Sequence, residues 1–472
     1  MEQIMKALAF LLSLLFAPNM ASCSAVSPRK SLTSSRASYV ITDVTIVDVE
    51  NGITIPEQAV VISGERISQI DDQKKIQIPS EAIIIDGHGL YAIPSLVDAH
   101  IHYYDESIFG RLLLANGVLL VRDMGMPNDY ILPIREALNS GTALGPEMVT
   151  TGLMLDGQPP IIPAISVGVA TPEDGRAFVR QQAEAGVNMI KTYSRLEKDV
   201  FLAILAEARK VDLPVAAHLP ESVYIEDAAV AGLSSSEHFN GFEKVIAKLL
   251  GEPARYSFVG QAADAGFLAR LDEVEPDKLR AVFEHLRSTG ITICPTVVTF
   301  KTLTNLNSIQ GGNFPGSQYI PKSLQDMWKT LWLQQEDLPD FIWTNWMSMV
   351  VELNRSGVPL MIGTDLMLPG ILPGFSVHEE MGIWQDAGIS AKDILRSATI
   401  VPAQVMRLAD SMGSVSVGKT ASIVLVRGNP LEDIRNAQKV ESIFLRGQYF
   451  SRDYLNQLLD EATVTASSIT TL

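Results

Sequence analysis

Short apolar runs and amphipathic stretches alternate along most of the chain. Apolar runs of about four to eight residues predict buried strands, and apolar positions spaced three or four apart predict helices. The predicted strands are 92–102, Gly117–Asp123, Met148–Met154, Asn188–Tyr193, Leu213–His218, Leu233–His238, Ile291–Pro295 and Val358–Asp365. The predicted helices between and after them include Tyr130–Ser140, Thr171–Ala185, Glu197–Lys210, Ile225–Ala231, Pro276–Thr289, Phe341–Ser356 and Ala391–Leu408.

This order of elements predicts an α/β fold with parallel strands. Eight strands that alternate with helices indicate a closed (β/α)8 TIM barrel, which we expect over residues 93–411. The alternative is an open, doubly wound sheet. No glycine-rich phosphate-binding turn follows a predicted strand, which favours the barrel.

Two further clusters of short strands flank the predicted barrel. The first comprises Tyr39–Val47, Gln58–Ser63, Arg66–Ile70 and Ala82–Ile85, and the second Met412–Val417, Ala421–Val426 and Val440–Arg446. Gly413–Lys419 is interpreted as a hairpin. Neither cluster is large enough for a core of its own. We therefore expect residues 39–92 and 412–455 to form one small β-sandwich into which the barrel is inserted, followed by a C-terminal tail at 456–472.

The first residues have the pattern of an export signal. Lys6 precedes the apolar run Ala7–Ala17, which is too short to span a membrane as a mature helix. We expect a signal peptide over 1–22 and a linker over 23–38. The segment 20–23 resembles a lipobox, so lipidation at Cys23 and simple cleavage are alternatives, and an uncleaved apolar anchor is a third. The expected location is the periplasm, or a membrane as a lipoprotein.

Composition narrows the classes of partner. The chain has 472 residues, 47% of them hydrophobic, and its 54 acidic against 37 basic residues give a net charge of −17. A globular protein is expected, and nucleic acid is excluded as a partner because its binding relies on Lys and Arg. Cys23 and Cys294 are the two cysteines, so no internal disulfide forms without Cys23.

Candidate metal ligands lie at the ends of the predicted barrel strands. His100 and His102 are two residues apart on a strand and therefore point the same way, which suits a transition metal. Active sites of such barrels lie at the carboxyl ends of the strands. Four of the seven histidines lie there, and the full set of candidates is His100, His102, Lys191, His218, His238 and Asp365.

These segments resemble the amidohydrolase superfamily of metal-dependent hydrolases, especially its imidazolonepropionase/prolidase-like branch. The matching stretches are 94–102, 189–193, 215–218, 236–238 and 362–365, within a resemblance that runs from about Tyr39 to about Arg452. The resemblance implies two divalent metal ions, expected to be Zn²⁺. It implies that His100, His102 and Asp365 bind one ion, that His218 and His238 bind the other, and that Lys191 bridges them as a carbamate.

The resemblance also implies a reaction. Metal-activated water would attack a carbonyl, with Asp365 as the general base and acid. We expect hydrolysis of an amide, peptide or cyclic amide bond in a small molecule such as a peptide or N-acyl amino acid. The alternatives are an ester, lactone or phosphoester substrate on the same site, or a non-catalytic binding protein. A homo-oligomer is compatible with the sequence.

Several other residues are weaker candidates. Asp98 is expected to orient the strand or a ligand. Arg122 and Asp123 close the second strand and are expected to pair with each other. Tyr193 either polarises a substrate carbonyl or packs, and His378 either faces the substrate or begins a helix. His88 and His285 are assigned to the surface.

Two features bear on the substrate. Dipeptidase-type relatives often place a tyrosine shortly after the fifth-strand histidine, but here the first tyrosine after His218 is Tyr224, which departs from a simple X-Pro dipeptidase. The insertion before the last strand carries four tryptophans: Trp328, Trp332, Trp343 and Trp346. They are predicted to form a lid that favours an apolar substrate, with packing against the barrel or a dimer partner as the alternative.

Overall fold

The computed structural model describes residues 38–252, 270–304, 314–332, 340–366 and 368–469. The predicted signal peptide, Cys23 and most of the predicted linker lie outside these ranges. Within them, no helix combines the length and apolar character needed to cross a membrane.

The N- and C-terminal strands pair into one sheet. Five strands come from the N-terminal part, β1 (Tyr39–Asp48), β2 (Ile53–Ser63), β3 (Arg66–Asp72), β4 (Ile83–Asp86) and β5 (Leu90–Pro94), and three from the C-terminal part, β15 (Ile423–Arg427), β16 (Val440–Leu445) and β17 (Gln448–Ser451). Their order is β17-β16-β15-β5-β1-β2-β3, with β4 beside β1. The sheet curls so that Tyr39 packs against Phe444 and Tyr449. The predicted joining of the two clusters is therefore confirmed.

The strands between them are parallel and short. The first three, β6 (Leu96–Ile101), β7 (Val118–Asp123) and β8 (Glu147–Thr150), form one sheet. The next six form a second sheet, β9 (Met154–Asp156), β10 (Ser166–Gly168), β11 (Ile190–Thr192), β12 (Val215–Ala217), β13 (Ser235–Glu237) and β14 (Thr292–Cys294). The predicted strand Met148–Met154 is thus two strands, β8 and the start of β9.

Residues 358–366 connect these two sheets. Leu360 bridges Ile293 of β14, and Leu366 bridges Ile101 of β6, both in parallel. On the other side, the Asn188 amide donates to the Thr150 carbonyl, which links β8 to the segment that enters β11. The predicted eighth strand, Val358–Asp365, makes only these isolated bridges and backbone hydrogen bonds, and no regular ladder.

Helices follow most of these strands. They are α1 (Phe109–Ala115), α2 (Asn128–Ser140), α3 (Pro172–Ala185), α4 (Lys198–Lys210), α5 (Ile225–Val230), α6 (Phe242–Leu250), α7 (Pro276–Thr289), α8 (Val297–Leu303), α9 (Lys322–Trp332), α10 (Asp340–Arg355), α11 (Phe375–Asp386), α12 (Ala391–Ser397), α13 (Ile400–Val405) and α14 (Arg452–Ser468). Local sequence sets their limits: α3 begins with a capping box between Thr171 and Asp174 and ends at Gly186, whose φ is +80°.

Two predicted elements are wrong. Met412–Val417 forms turns, not a strand, so 413–419 is not a β-hairpin, and only Thr420 bridges Arg66. The predicted helix Ala391–Leu408 is broken between α12 and α13. Pro402 explains the break, since a proline inside a continuous helix removes a hydrogen bond but is tolerated in the first turn, where it lies here.

Helix α14 was not predicted, and it occupies most of the predicted tail. The helix begins after Ser451, whose side chain accepts a hydrogen bond from the Tyr454 amide. It buries Leu455, Leu458 and Ala462 on one face. The cap and the helical spacing were both present in the sequence.

Candidate metal centre

Four histidines converge at the carboxyl ends of the parallel strands. His100 is in β6 and His102 follows it, while His218 and His238 directly follow β12 and β13. The ring centroids of His100 and His238 are 4.4 Å apart, those of His218 and His238 5.6 Å, and those of His100 and His102 5.7 Å. Strands that alternate in sequence with helices have thus brought distant imidazoles into contact.

Each of these imidazoles is hydrogen-bonded through Nδ1. The Nδ1 atom lies 2.8 Å from Glu237 Oε2 in His100 and 3.0 Å from the Gly125 carbonyl in His102. In His218 it lies 2.5 Å from Ser194 Oγ, and in His238 2.7 Å from Thr296 Oγ1. Nε2 is therefore the ring nitrogen that faces Asp365 in His100, His102 and His238, which is the orientation a metal ligand needs.

Asp365 lies among these Nε2 atoms. Its Oδ1 is 3.5 Å from His100 Nε2 and 3.7 Å from His102 Nε2, and its Oδ2 is 4.0 Å from His238 Nε2. Two ligands about 2.0–2.2 Å from a tetrahedral Zn²⁺ are roughly 3.3–3.6 Å apart. The donor atoms of His100, His102 and Asp365 all lie within 4.8 Å of one another, so this trio fits one ion with only small adjustments.

The protonation of the imidazoles suits metal binding. Burial lowers the pKa of His102 to about 4, and it lowers the pKa of His100, His218 and His238 well below 6.5. At neutral pH the four rings are therefore neutral, which is the form that binds a metal ion.

Lys191 is a buried cation at the centre of this cluster. It is 1% exposed, and among the described residues its Nζ has no hydrogen-bond partner. Burial lowers its pKa to about 8, although the charges of Glu237 and Asp365 act in the opposite direction. Its charge also contributes to the low pKa of all four histidines, so the structure brings the six predicted site residues together.

Asp98 holds the segment that carries Asp365 against β6, which agrees with the prediction that it orients the strand or a ligand. Its Oδ2 accepts a 2.7 Å hydrogen bond from Thr364 Oγ1, and its Oδ1 accepts from the amides of Thr364 and His100. One buried carboxylate thereby fixes the backbone on both sides of the candidate metal site. Asp98 is a positioning residue for Asp365.

Glu237 is the site residue that sequence reasoning missed. It is fully buried and bonds to His100, and Arg122 Nη2 lies 2.9 Å from its Oε2. The predicted pairing of Arg122 with Asp123 is therefore wrong. Asp123 instead accepts hydrogen bonds from Thr150 Oγ1 and the Tyr103 amide. The available signal was a charged residue at the end of a short strand of serines, next to His238.

The weaker candidates from the sequence lie beside the site, at the start of a helix or at the surface. Tyr193 is buried, with its ring 4.4 Å from that of His218, so it lies beside the site. His378 is buried at the start of α11, and its Nε2 donates to the Asn116 carbonyl, which fits the structural alternative. His88 and His285 are exposed, as predicted.

The tryptophans fit the packing alternative where the structure describes them. Trp328 is 2% exposed and packs beside Phe314, and Trp346 packs against Phe300 with a centroid distance of 3.9 Å. Trp343 is partly buried, and the side chain of Trp332 lies outside the described part. Trp328 and Trp346 therefore belong to the hydrophobic core.

Comparison with known proteins identifies the family. The amidohydrolase family model matches residues 91–449. No curated protein matches the chain. Among solved structures it is similar to bottromycin amidohydrolase (22% identity, TM-score 0.74, 91% of this chain and 90% of that one) and to a prolidase complexed with N-methylphosphonate-L-proline (21%, 0.64, 88% and 100%). It is also similar to Aspergillus niger ochratoxinase (18%, 0.62, 89% and 96%).

The structural similarities, all below 25% identity, establish a shared mixed α/β fold. The family match covers most of the chain. This protein therefore belongs to the amidohydrolase family and is a hydrolase that acts on carbon–nitrogen bonds.

Proposed function

We propose that the chain is a binuclear metal-dependent hydrolase that cleaves an amide, peptide or cyclic amide bond of a small molecule. The observation that carries this proposal is the convergence of four neutral imidazoles, each held through Nδ1, around Asp365 and the buried amine of Lys191, which has no hydrogen-bond partner among the described residues. A purely structural cluster would give this buried amine a hydrogen-bond partner.

The proposed architecture is a (β/α)8 barrel inserted into a β-sandwich. Its support is the chain of backbone contacts that runs from β6 through β8 to β14 and returns through Leu360 and Leu366 to β6. A closed ring would place all six candidates at one mouth, where barrel enzymes have their active sites.

We assign one ion to His100, His102 and Asp365 and the other to His218 and His238. When bound, two such ions lower the pKa of water between them and polarise the scissile carbonyl. The chain supplies neutral nitrogen ligands already oriented by their Nδ1 partners, which lowers the entropy lost on binding.

Asp365 is the proposed proton carrier. In the metal-free chain, burial raises the pKa of Asp365 to about 7. Its position beside three histidine Nε2 atoms is that of a general base for a metal-activated water. Its carboxylate would take the proton from the attacking water and deliver it to the leaving nitrogen. No other carboxylate of the described residues lies as close to the histidine Nε2 atoms.

Lys191 would bridge the ions after reaction with CO₂. The neutral amine attacks the carbon of CO₂, an N–C bond forms and one proton is released, which leaves an anionic carbamate with two oxygen ligands. The lowered pKa of Lys191 makes the required neutral amine accessible. The carbamate would also replace a buried amine that has no hydrogen-bond partner among the described residues.

Metal analysis and a substrate screen test this proposal. Zinc-loaded protein prepared in bicarbonate is expected to hold about two ions per chain and to hydrolyse members of a library of dipeptides, N-acyl amino acids and cyclic amides. Lactones and phosphoesters in the same screen test the alternative reactions. A protein that retains no metal after gentle purification and hydrolyses nothing would contradict the proposal.

Lys191→Ala gives a sharper test of the bridge. We expect loss of activity that short carboxylic acids partly restore by taking the place of the carbamate. Lys278→Ala, which changes an exposed lysine, serves as the control. Full activity of Lys191→Ala without added acid would refute the carbamate.

We also propose that the chain is exported. Support comes from Lys6 and the apolar run 7–17. Full-length protein expressed in a bacterium is expected in the periplasm or envelope, and Cys23→Ala would release it from the membrane if Cys23 carries a lipid. Retention of both proteins in the cytoplasm would contradict export.

A further inference from the structure

Glu237 has the contacts of a residue that sets the state of a ligand. Its Oε2 is 2.8 Å from His100 Nδ1 and 2.9 Å from Arg122 Nη2, and its Oε1 accepts from Ser235 Oγ at 2.6 Å and from Arg122 Nη2 at 3.0 Å. Glu237 and Arg122 are both fully buried. Arg122 is itself anchored, because it also donates to Ser235 Oγ and to the Ala99 carbonyl in β6.

These contacts determine which nitrogen of His100 carries its proton. A carboxylate paired with an arginine only accepts hydrogen bonds, so His100 must donate from Nδ1 and keep the lone pair of Nε2 free. The hydroxyl partners of His218 and His238 can donate or accept and do not impose this choice. Among the four Nδ1 partners named above, Glu237 is the charged one.

The backbone of His100 is also closely packed against the neighbouring segment 358–366. A side chain at Gly363 would place its Cβ 3.0 Å from the Cβ of His100 and 2.6 Å from Cys294 Sγ. Only glycine therefore lets residues 358–366 pass this close to β6. The Gly363 backbone thus packs against the Cβ and backbone of His100, while Glu237 holds its Nδ1.

We propose that Glu237, held by Arg122, is a positioning residue that fixes the tautomer and direction of His100 for metal binding. The inference rests on the proposed function, because it assigns His100 to a metal ion. It goes beyond that function by giving the buried Arg122–Glu237 pair a role in metal binding, which the pair exerts through His100. An ionised carboxylate on Nδ1 also makes the imidazole a stronger donor.

Glu237→Gln is the direct test. The affinity for the first Zn²⁺, measured by competition with a chromophoric chelator, is expected to fall by about 10–100-fold. Selective ¹⁵N-histidine NMR of the metal-free protein is expected to show His100 as the single Nδ1–H tautomer in the wild type and as a mixture in the variant. Asp123→Asn is the matched control, because Asp123 is a buried carboxylate at the end of the neighbouring strand whose hydrogen bonds come from Thr150 and from the backbone amides of Tyr103 and Gly125.

A second variant separates positioning from folding. Glu237→Gln alone leaves the Arg122 charge buried and unpaired, which destabilises a fold strongly. The double variant R122M/E237Q removes both charges and is expected to fold, while its Zn²⁺ affinity stays reduced. Wild-type affinity and an unchanged His100 tautomer in the folded double variant would overturn the inference. If the wild type itself bound no Zn²⁺, the proposed function would fail instead.

Discussion

Replacing Lys191 by methionine should stabilise the metal-free protein. The two side chains are similar in length, so the change removes the amine without opening a cavity. Burial lowers the pKa of Lys191 from 10.5 to about 8. At ~1.4 kcal/mol per pKa unit, this difference lowers the free energy of unfolding of the wild type by about 3 kcal/mol at pH 7.

The effect has a defined pH window. Between about pH 8 and 10.5 the unfolded wild-type chain still binds the proton that the folded chain has lost, so wild-type stability rises with pH there. The advantage of Lys191→Met should therefore be largest below pH 8 and shrink towards pH 10.5.

Urea unfolding in CO₂-free buffer with a chelator measures this difference. Lys278→Met, at an exposed lysine, is the control and should change the free energy of unfolding by less than about 0.5 kcal/mol. A free energy of unfolding that Lys191→Met leaves unchanged at pH 7, or an effect of the same size at pH 7 and pH 10, would refute the predicted cost of burying this amine.

Three further substitutions test other parts of the structure. Asp365→Asn should keep the fold but lower kcat by about 10²–10⁴-fold, as measured on the best substrate from the screen with circular dichroism as the control. Trp328→Ala should lower the free energy of urea unfolding by about 3–5 kcal/mol, because the side chain is buried. It should not change the ratio of kcat/KM between apolar and polar substrates, and a changed ratio would support the predicted lid. Glu380→Gln should cost about 1–3 kcal/mol, because the buried carboxylate accepts from the amides of Val297 and Val298 and from an indole, and an amide group has only one acceptor atom. The same thermal or urea assay would contradict this if the variant were as stable as the wild type.

Strand ends were predictable because hydrophobic periodicity and turn residues mark them locally. The order of apolar runs placed His218 and His238 directly after β12 and β13, where the structure has them. Proximity of the six candidates followed from strand order alone, since parallel strands end at one edge. The assignment of each ligand to one of two ions came from the resemblance to a family, because the spacing of residues along the chain does not determine it.

The partners of these residues were not predictable in the same way. Arg122 and Asp123 are adjacent in sequence, but on a strand they point to opposite faces, and their partners come from other strands. Glu237 acquires its role only when β13 lies within reach of β6. Long-range contacts of this kind depend on register between strands, which the local pattern of one segment leaves open.

The ends of the ligand-bearing strands combine unfavourable backbone conformations with buried charge. His238, Thr296 and Asp365 have φ values of +59°, +49° and +54°, which residues other than glycine rarely adopt. Each such residue costs on the order of 1–3 kcal/mol, and glycine would remove the cost together with the side chain. Burial of the Lys191 amine disfavours the metal-free fold as well. Because ions would bind the folded chain and not the unfolded one, their binding would offset this instability. The strain therefore has its simplest explanation in the side chains that these positions present, His238 and Asp365 to a ligand and Thr296 to His238.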